Sequence, residues 1–216
     1  LGLNPSGEIA FQFPIEHQDQ IVGEGVWFGD VNSQSLAVRT GAQAPGFADG
    51  VVIGTEHLAC CQERLSFREL TDAGEIALIA SLSGRGIESS NAWAVWFGQP
   101  NSLRPVMRQG EVAPGHSSDV MVDQILSAAV HKSSWVTLQA TTRNTSTGET
   151  GEALWVTDGE RISQMAAIGQ LAPGFEEQGL VFADFARTSA PTTAGSIAFS
   201  AELSNGEFGV WASEGD

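Results

Sequence analysis

One hexapeptide pattern, Gly-x-x-Ala-Pro-Gly, occurs three times in this chain of 216 residues. The copies occupy residues 41–46, 110–115 and 169–174. A tryptophan stands 18 residues before the proline of each copy, and a fourth follows the last copy: Trp27, Trp96, Trp155 and Trp211. Successive copies are 69 and 59 residues apart. Such a period is typical of repeat proteins, in which each unit buries its apolar face against the next. The chain is therefore predicted to be an array of about three and a half similar units.

Each unit has the pattern of short strands rather than helices. The segment before each tryptophan alternates, as in Ile76, Leu78 and Ala80, which is the period of a strand with one buried face. Its other face carries small residues that would let a neighbouring sheet approach closely: Ala10, Ala77, Thr137 and Ala198. The hexapeptide predicts a turn, because proline fixes φ and glycine permits a positive φ. A fourth strand is predicted after the turn, at residues 120–126 and 180–185.

Four strands in about 60 residues predict an all-β fold, a β-propeller-like array of four-stranded antiparallel blades. A β-solenoid is the competing architecture, but its coils usually repeat within about 20 to 30 residues. The predicted units of this single repeat domain span residues 1–66, 67–127, 128–187 and, incomplete, 188–216. The last unit lacks two strands, so we expect a longer protein, or pairing with further repeats or a second copy to close the ring.

The chain opens with Asn-Pro-Ser-Gly-Glu-Ile-Ala-Phe at residues 4–11. This segment resembles the Asn-x-x-Gly-x-x-Ala-Phe tandem repeat family of bacterial exported and surface-anchored proteins, in which Ala-Pro-Gly turns recur once per unit. In the later copies a polar residue that can close a turn replaces Asn4: Thr71, His131 and Thr192. Ser134 replaces the glycine of the third copy. The resemblance implies repetition and an extracellular or cell-surface location, and it implies no catalytic residue.

The charge of the chain excludes several classes of partner. Twenty-six acidic and ten basic residues give a formal net charge of -16, which opposes binding to nucleic acid or to an anionic membrane surface. A strongly charged surface instead suits an extracellular protein that must stay dissolved. The chain contains no run of about 18 apolar residues, so no membrane insertion is predicted.

The potential metal ligands lack the spacing of a dedicated site. His17, His57, His116 and His131 form no His-x-His or His-Glu-x-x-His pattern, so no cofactor is predicted. Cys60 and Cys61 are adjacent, within a connection about eight residues longer than its equivalents. Two interpretations of these cysteines stay open: small buried residues, or thiols that bind a soft metal or take part in redox exchange.

Calcium is the alternative cofactor, because acidic loops supply the oxygen ligands that it prefers. The chain has no Asp-x-Asp-x-Asp-Gly loop, however. Residues 158–160, Asp-Gly-Glu, instead indicate a hairpin turn between the second and third strands of a unit.

No catalytic residue can be assigned from the sequence. The pentapeptide Gly-x-Ser-x-Gly of many serine hydrolases is absent, and residues 115–119, Gly-His-Ser-Ser-Asp, are contiguous and so indicate a loop rather than a triad. Carboxylate pairs such as Glu75 with Glu111, or Asp123 with Asp184, could in principle serve a glycosidase. Acidic residues are too numerous for either pair to indicate a site.

Two tryptophans stand outside the repeated positions. The four repeated tryptophans are interpreted as core residues, since a residue present in every unit usually serves the repeat. Trp93 and Trp135 are therefore the candidates for contact with a protein or carbohydrate ligand. The resulting hypothesis is a non-catalytic, secreted or cell-surface repeat module that serves as a scaffold or binding surface. The alternative is a propeller enzyme acting on polysaccharide, a glycoside hydrolase or lyase whose carboxylates converge in one pocket.

Overall fold

A computed structural model describes residues 1–54, 65–132 and 134–213. Sixteen strands lie in these residues: β1 Gly2–Leu3, β2 Ile9–His17, β3 Gln20–Gly29, β4 Gln34–Arg39, β5 Val51–Ile53, β6 Leu65–Leu70, β7 Ile76–Gly84, β8 Trp93–Gly98, β9 Arg104–Arg108, β10 Val120–His131, β11 Trp135–Asn144, β12 Thr150–Thr157, β13 Ile162–Ala167, β14 Phe182–Thr188, β15 Ala198–Leu203 and β16 Phe208–Ala212. Within the described ranges, one turn of 3-10 helix at Glu176–Gln178 is the sole helical segment. The predicted all-β class is confirmed.

The strands form four antiparallel sheets. The first contains β1 to β4 in sequence order, and the second contains β7, β8 and β9, with β5 and β6 both paired to β7. The third contains β10 to β13, and the fourth contains β14, β15 and β16. Two compact bodies result: an N-terminal body of residues 1–109 and 132–134, and a C-terminal body of residues 110–131 and 135–216.

The sheets are shifted by one strand relative to the units predicted from the sequence. The strand that follows an Ala-Pro-Gly turn opens the next sheet instead of completing the previous one. Thus β10 pairs with β11, from Val120 opposite Asn144 to His131 opposite Trp135, and β14 pairs with β15. Strand pairing is set by hydrogen-bond register between distant segments, so the order of strands along a repeat does not determine sheet membership.

The second sheet differs from the third in its opening strand. This strand is divided into β5 and β6, which pair with opposite ends of β7: Val51 lies opposite Gly84 and Leu70 opposite Ile76. In the third sheet a single strand, β10, has register shifts between Val122 and Gln124 and between Ile125 and Ser127. The extra residues of the long connection therefore enter where the equivalent strand carries a β-bulge, a place where the ladder is already interrupted.

Polar side chains close the turns that precede β2, β7 and β15. The Asn4 Oδ1 atom accepts hydrogen bonds from the backbone N–H groups of Ser6 and Glu8, at 3.1 and 2.9 Å. The Oγ1 atoms of Thr71 and Thr192 accept one from the residue four positions later, at 3.0 and 3.1 Å. The predicted turn role is confirmed for these three residues.

Each body has a core between its two sheets. In the N-terminal body Ala10 and Val26 of the first sheet pack with Leu78 and Trp96 of the second, and all four side chains are buried. In the C-terminal body the buried residues Leu154 and Val156 of the third sheet share a core with Phe199 and Ala201 of the fourth. Facing sides of neighbouring sheets thus build each core, and β7, predicted to have one buried face, is buried on both faces from Ile76 to Leu82.

Candidate functional site

Three of the repeated tryptophans bind Ala-Pro-Gly turns. The indole Nε1–H groups donate to proline carbonyl oxygens in three equivalent contacts: Trp96 to Pro45 at 2.9 Å, Trp155 to Pro114 at 2.9 Å, and Trp211 to Pro173 at 3.2 Å. In each contact the turn belongs to the preceding repeat. Trp96 and Trp155 are completely buried, which confirms that they are core residues.

The turn that receives the indole is the end of a β-hairpin. In the first copy the Gly41 N–H donates to the Ile53 carbonyl at 2.8 Å, and the Ala44 N–H donates to the Val51 carbonyl at 2.9 Å. Gly46 has a φ of 78°. A Cβ atom there would lie 2.6 Å from the Pro105 Cδ atom, so both the backbone and the close contact require glycine.

The residue directly after the hexapeptide completes the contact with an aromatic ring. Ring centroids lie 5.6 Å apart for Phe47 and Trp96, and 6.4 Å apart for Phe175 and Trp211. His116 takes this position in the second copy, with its centroid 6.2 Å from that of Trp155. The sequence analysis missed this position, although the residue after each hexapeptide is Phe, His or Phe and could have been aligned.

Packing against the Trp155 ring favours the neutral form of His116. Burial lowers the pKa of the imidazole from its ordinary value of 6.5. The unfolded chain therefore binds a proton more readily than the folded chain, so the stability that depends on neutral His116 is present above about pH 6.5 and decreases as the pH falls below it. The neighbouring Ser117 hydroxyl donates to Asp119 rather than to the imidazole, which is not the arrangement of a catalytic triad.

Trp27 lies at the equivalent position of the first sheet but binds no turn. Its Nε1–H donates to no acceptor among the described residues, and its side chain is half-buried. The indole stacks on Phe11, with centroids 5.9 Å apart and planes 9° from parallel, and Phe11 in turn meets Phe13 edge to face at 6.1 Å. We call Phe13, Phe11 and Trp27 the aromatic row. Phe13 is 61% exposed.

A groove of about 520 Å³ lies in the N-terminal body, between the first sheet and the turn that joins β8 to β9. Phe28, Leu36 and Pro45 supply apolar walls. Its polar groups are amides and hydroxyls, such as those of Asn101 and Ser102. No residue of its lining is ionisable at neutral pH. A groove with this lining can bind a neutral ligand through apolar contacts and hydrogen bonds, but it holds no proton donor or acceptor for acid–base catalysis.

A family model named DUF7453, described as a family of unknown function, matches residues 1–216. The chain belongs to DUF7453. No curated protein matches it significantly. Within the described part of this DUF7453 chain, no helix has the length and apolar character needed to cross a membrane.

The two tryptophans predicted as ligand contacts belong to different bodies of the DUF7453 chain. Trp93 begins β8 in the N-terminal body and Trp135 begins β11 in the C-terminal body, and both are half-buried. Trp135 packs over Gly195, where a Cβ atom would lie 2.9 Å from its ring. Neither residue lines the groove. Their role as ligand contacts stays a prediction.

The candidate metal ligands give no cluster in the residues that the structure describes, where no three His, Cys, Asp or Glu side chains are grouped as a metal ion would require. His57, Cys60 and Cys61 lie outside the described residues. Asp158 occupies the predicted hairpin turn between β12 and β13. Burial raises the pKa of its carboxyl group, but the backbone N–H donors of Arg161 and Glu160, each 2.8 Å away, outweigh that effect and lower it.

The carboxylates considered for a glycosidase have other surroundings. Glu75 and Glu111 belong to different bodies. Asp123 forms an ion pair with Arg143, at 2.9 Å. Asp184 lies on β14 and is exposed. None of these carboxylates lines the groove of the DUF7453 chain.

Proposed function

We propose that this DUF7453 chain is a non-catalytic repeat module of the β-propeller type, located outside the bacterial cell or on its surface, that acts as a scaffold or binding surface. The observation that carries the proposal is the lining of the groove, which combines apolar walls with amide and hydroxyl groups and contains no ionisable side chain. Polysaccharide hydrolysis requires a proton donor and a base or nucleophile at the bond that breaks. A neutral lining suits binding without bond cleavage.

The repeated contacts support the propeller-type part of the proposal. Four antiparallel sheets and three indole-to-proline hydrogen bonds follow one plan along the chain. The repeated residues are thus used to hold sheets and hairpins together, as in arrays whose binding surfaces come from residues that vary between repeats. The resemblance of residues 4–11 to exported bacterial repeats supports the proposed location.

Exposed apolar positions support a scaffold role. The residue before each repeated tryptophan is fully buried in the first three sheets, at Val26, Val95 and Leu154, but Val210 of the fourth sheet is 78% exposed. Phe208 on the same strand is 67% exposed. The position of Val210 is buried in the other three sheets and exposed here, so it is suited to contact with a further repeat or partner.

The test uses neutral polysaccharides, because a chain with a net charge of -16 repels polyanions. Purified chain is incubated with cellulose, mannan, starch and a panel of bacterial surface proteins. Bound chain and released saccharide are then measured separately. We expect retention on at least one of these probes without release of reducing or unsaturated ends. Release of such ends would contradict the proposal and favour the polysaccharide enzyme.

A groove variant makes the test specific. Asn101→Trp places a large side chain at the groove and should reduce retention about tenfold or more, as expected when contacts worth about 1.4 kcal/mol are lost. Ser118→Trp, at an exposed position of the C-terminal body, is the matched control and should retain binding. Equal retention by the two variants would show that the groove is not the binding surface.

A further inference from the structure

The aromatic row of the first sheet resembles the surroundings of Trp211, which does bind a hairpin. Trp27 stacks on the cross-strand residue Phe11 at 5.9 Å, and Trp211 stacks on its own cross-strand residue Phe199 at 6.1 Å. A glycine two residues before each tryptophan lets the indole lie close over its own strand. A Cβ atom at Gly25 would lie 2.8 Å from the Trp27 ring, and the equivalent distance from Gly209 to Trp211 is 2.5 Å.

The two tryptophans differ in what covers them. The Trp211 indole donates to the Pro173 carbonyl and meets the ring of Phe175. Trp27 has neither partner among the described residues, although its ring is stacked on a cross-strand phenylalanine in the same way. Leu3 and Leu36, at 64% and 44% exposure, add apolar surface on the first sheet. The residues that would bind a hairpin are thus in place on the first sheet, and no hairpin among the described residues covers Trp27.

We propose that the aromatic row is a binding site for an Ala-Pro-Gly hairpin of a further repeat of this kind. The hairpin's proline carbonyl accepts the Trp27 Nε1–H, and the aromatic residue after its glycine packs on the indole. The three hairpins of this chain cannot be the occupant without losing their own tryptophans, since each already binds one. This inference rests on the proposed function, because it takes the chain to be a module that joins other repeats.

The chemistry of the hairpin matches the site. The first hairpin, residues 41–53, has the sequence Gly-Ala-Gln-Ala-Pro-Gly-Phe-Ala-Asp-Gly-Val-Val-Ile and carries a single charged side chain, Asp49. Such a ligand brings little charge to a strongly acidic chain and presents an apolar surface to an apolar sheet face. Cyclising it would favour the bound conformation and reduce the entropy that binding costs.

The experiment titrates a backbone-cyclised peptide of residues 41–53 into the ¹⁵N-labelled chain. The chain has six tryptophans, so six indole N–H resonances are expected, and the Trp27 signal is identified by its loss in Trp27→Phe. We expect that signal to move downfield and saturate below about 1 mM peptide. Trp27→Phe, which lacks the N–H donor, should weaken binding about fivefold or more. A peptide of the same composition in scrambled order should not bind.

Two exposed apolar side chains control for effects on folding. Phe13→Ser alters the aromatic row and should weaken binding, whereas Leu126→Ser changes an exposed side chain on β10 of the third sheet and should leave binding unchanged. Saturable binding that both Trp27→Phe and Phe13→Ser weaken would support the site. No binding at 1 mM, or binding that neither variant affects, would overturn it. Retention on the groove probes is measured in a separate assay. If the peptide does not bind but the chain is still retained on those probes, this inference fails and the proposed function stands.

Discussion

Replacing one buried indole tests whether the turn contact stabilises the fold. In Trp155→Phe the smaller ring cannot donate to Pro114, so the carbonyl loses a 2.9 Å hydrogen bond at a fully buried side chain. A hydrogen bond contributes about 1 kcal/mol net. The void left by the smaller ring adds about 1 to 2 kcal/mol, less than the about 3 to 5 kcal/mol of a full truncation to alanine. We expect the free energy of unfolding to fall by about 2 to 3 kcal/mol.

Trp27→Phe is the matched comparison for this effect. Trp27 occupies the same strand position but is half-buried and donates to no described acceptor, so its replacement should cost less than about 1 kcal/mol. Both values are measured by urea unfolding followed by far-ultraviolet circular dichroism. The m-value, the slope of the unfolding free energy against urea concentration, must be the same in both variants. A cost for Trp27→Phe equal to that of Trp155→Phe would refute the argument, because the indole-to-proline contact would then not be the cause.

Two further changes probe the hairpins. His116→Phe replaces an imidazole whose pKa is lowered by burial with the residue found after the other two hexapeptides. It should raise the melting temperature and remove the part of the stability loss below about pH 6.5 that His116 causes, so the gain in stability over the original chain should grow as the pH falls. A gain that does not change with pH would contradict this role. Gly46→Ala and Gly50→Ala both place alanine at a positive φ, 78° and 85°, but only the first meets Pro105. Urea unfolding should therefore show that Gly46→Ala lowers the free energy of unfolding by about 1 to 3 kcal/mol more than Gly50→Ala does. Equal losses would mean that the neighbouring chain yields to the added methyl group.

The sequence predicts the strands of this fold better than their pairing. The alternation at Ile76, Leu78 and Ala80 and the hexapeptide turns are local signals, and the structure has β7 and the hairpins where they indicate. Residues 120–126 were also predicted as a strand, but they pair forward with β11 rather than backward. That choice depends on hydrogen bonds between segments far apart in the chain, which local patterns do not contain.

The tryptophan contacts show the same limit. Trp27, Trp96 and Trp155 each stand 18 residues before a proline, which correctly indicates a repeated structural role. The proline that a tryptophan binds is another one, 51, 41 and 38 residues earlier in the chain for Trp96, Trp155 and Trp211. These separations vary because the connections between them differ in length, so a search for fixed spacing cannot find them. The groove is likewise built from three distant segments and had no signal in the sequence.

The bulge in β10 has a consequence for how chains of this kind can change in length. Between Val122 and Gln124 the ladder to β11 skips a residue, and the matching point of the second sheet lies between Ile53, the last residue of β5, and Leu65, the first residue of β6. Directly after this point the pairing is equivalent in the two sheets, since Leu65 lies opposite Ala80 and Ile125 lies opposite Ala140. A loop with a new binding specificity can therefore be inserted at this position, in evolution or by design, without changing the strand pairing around it.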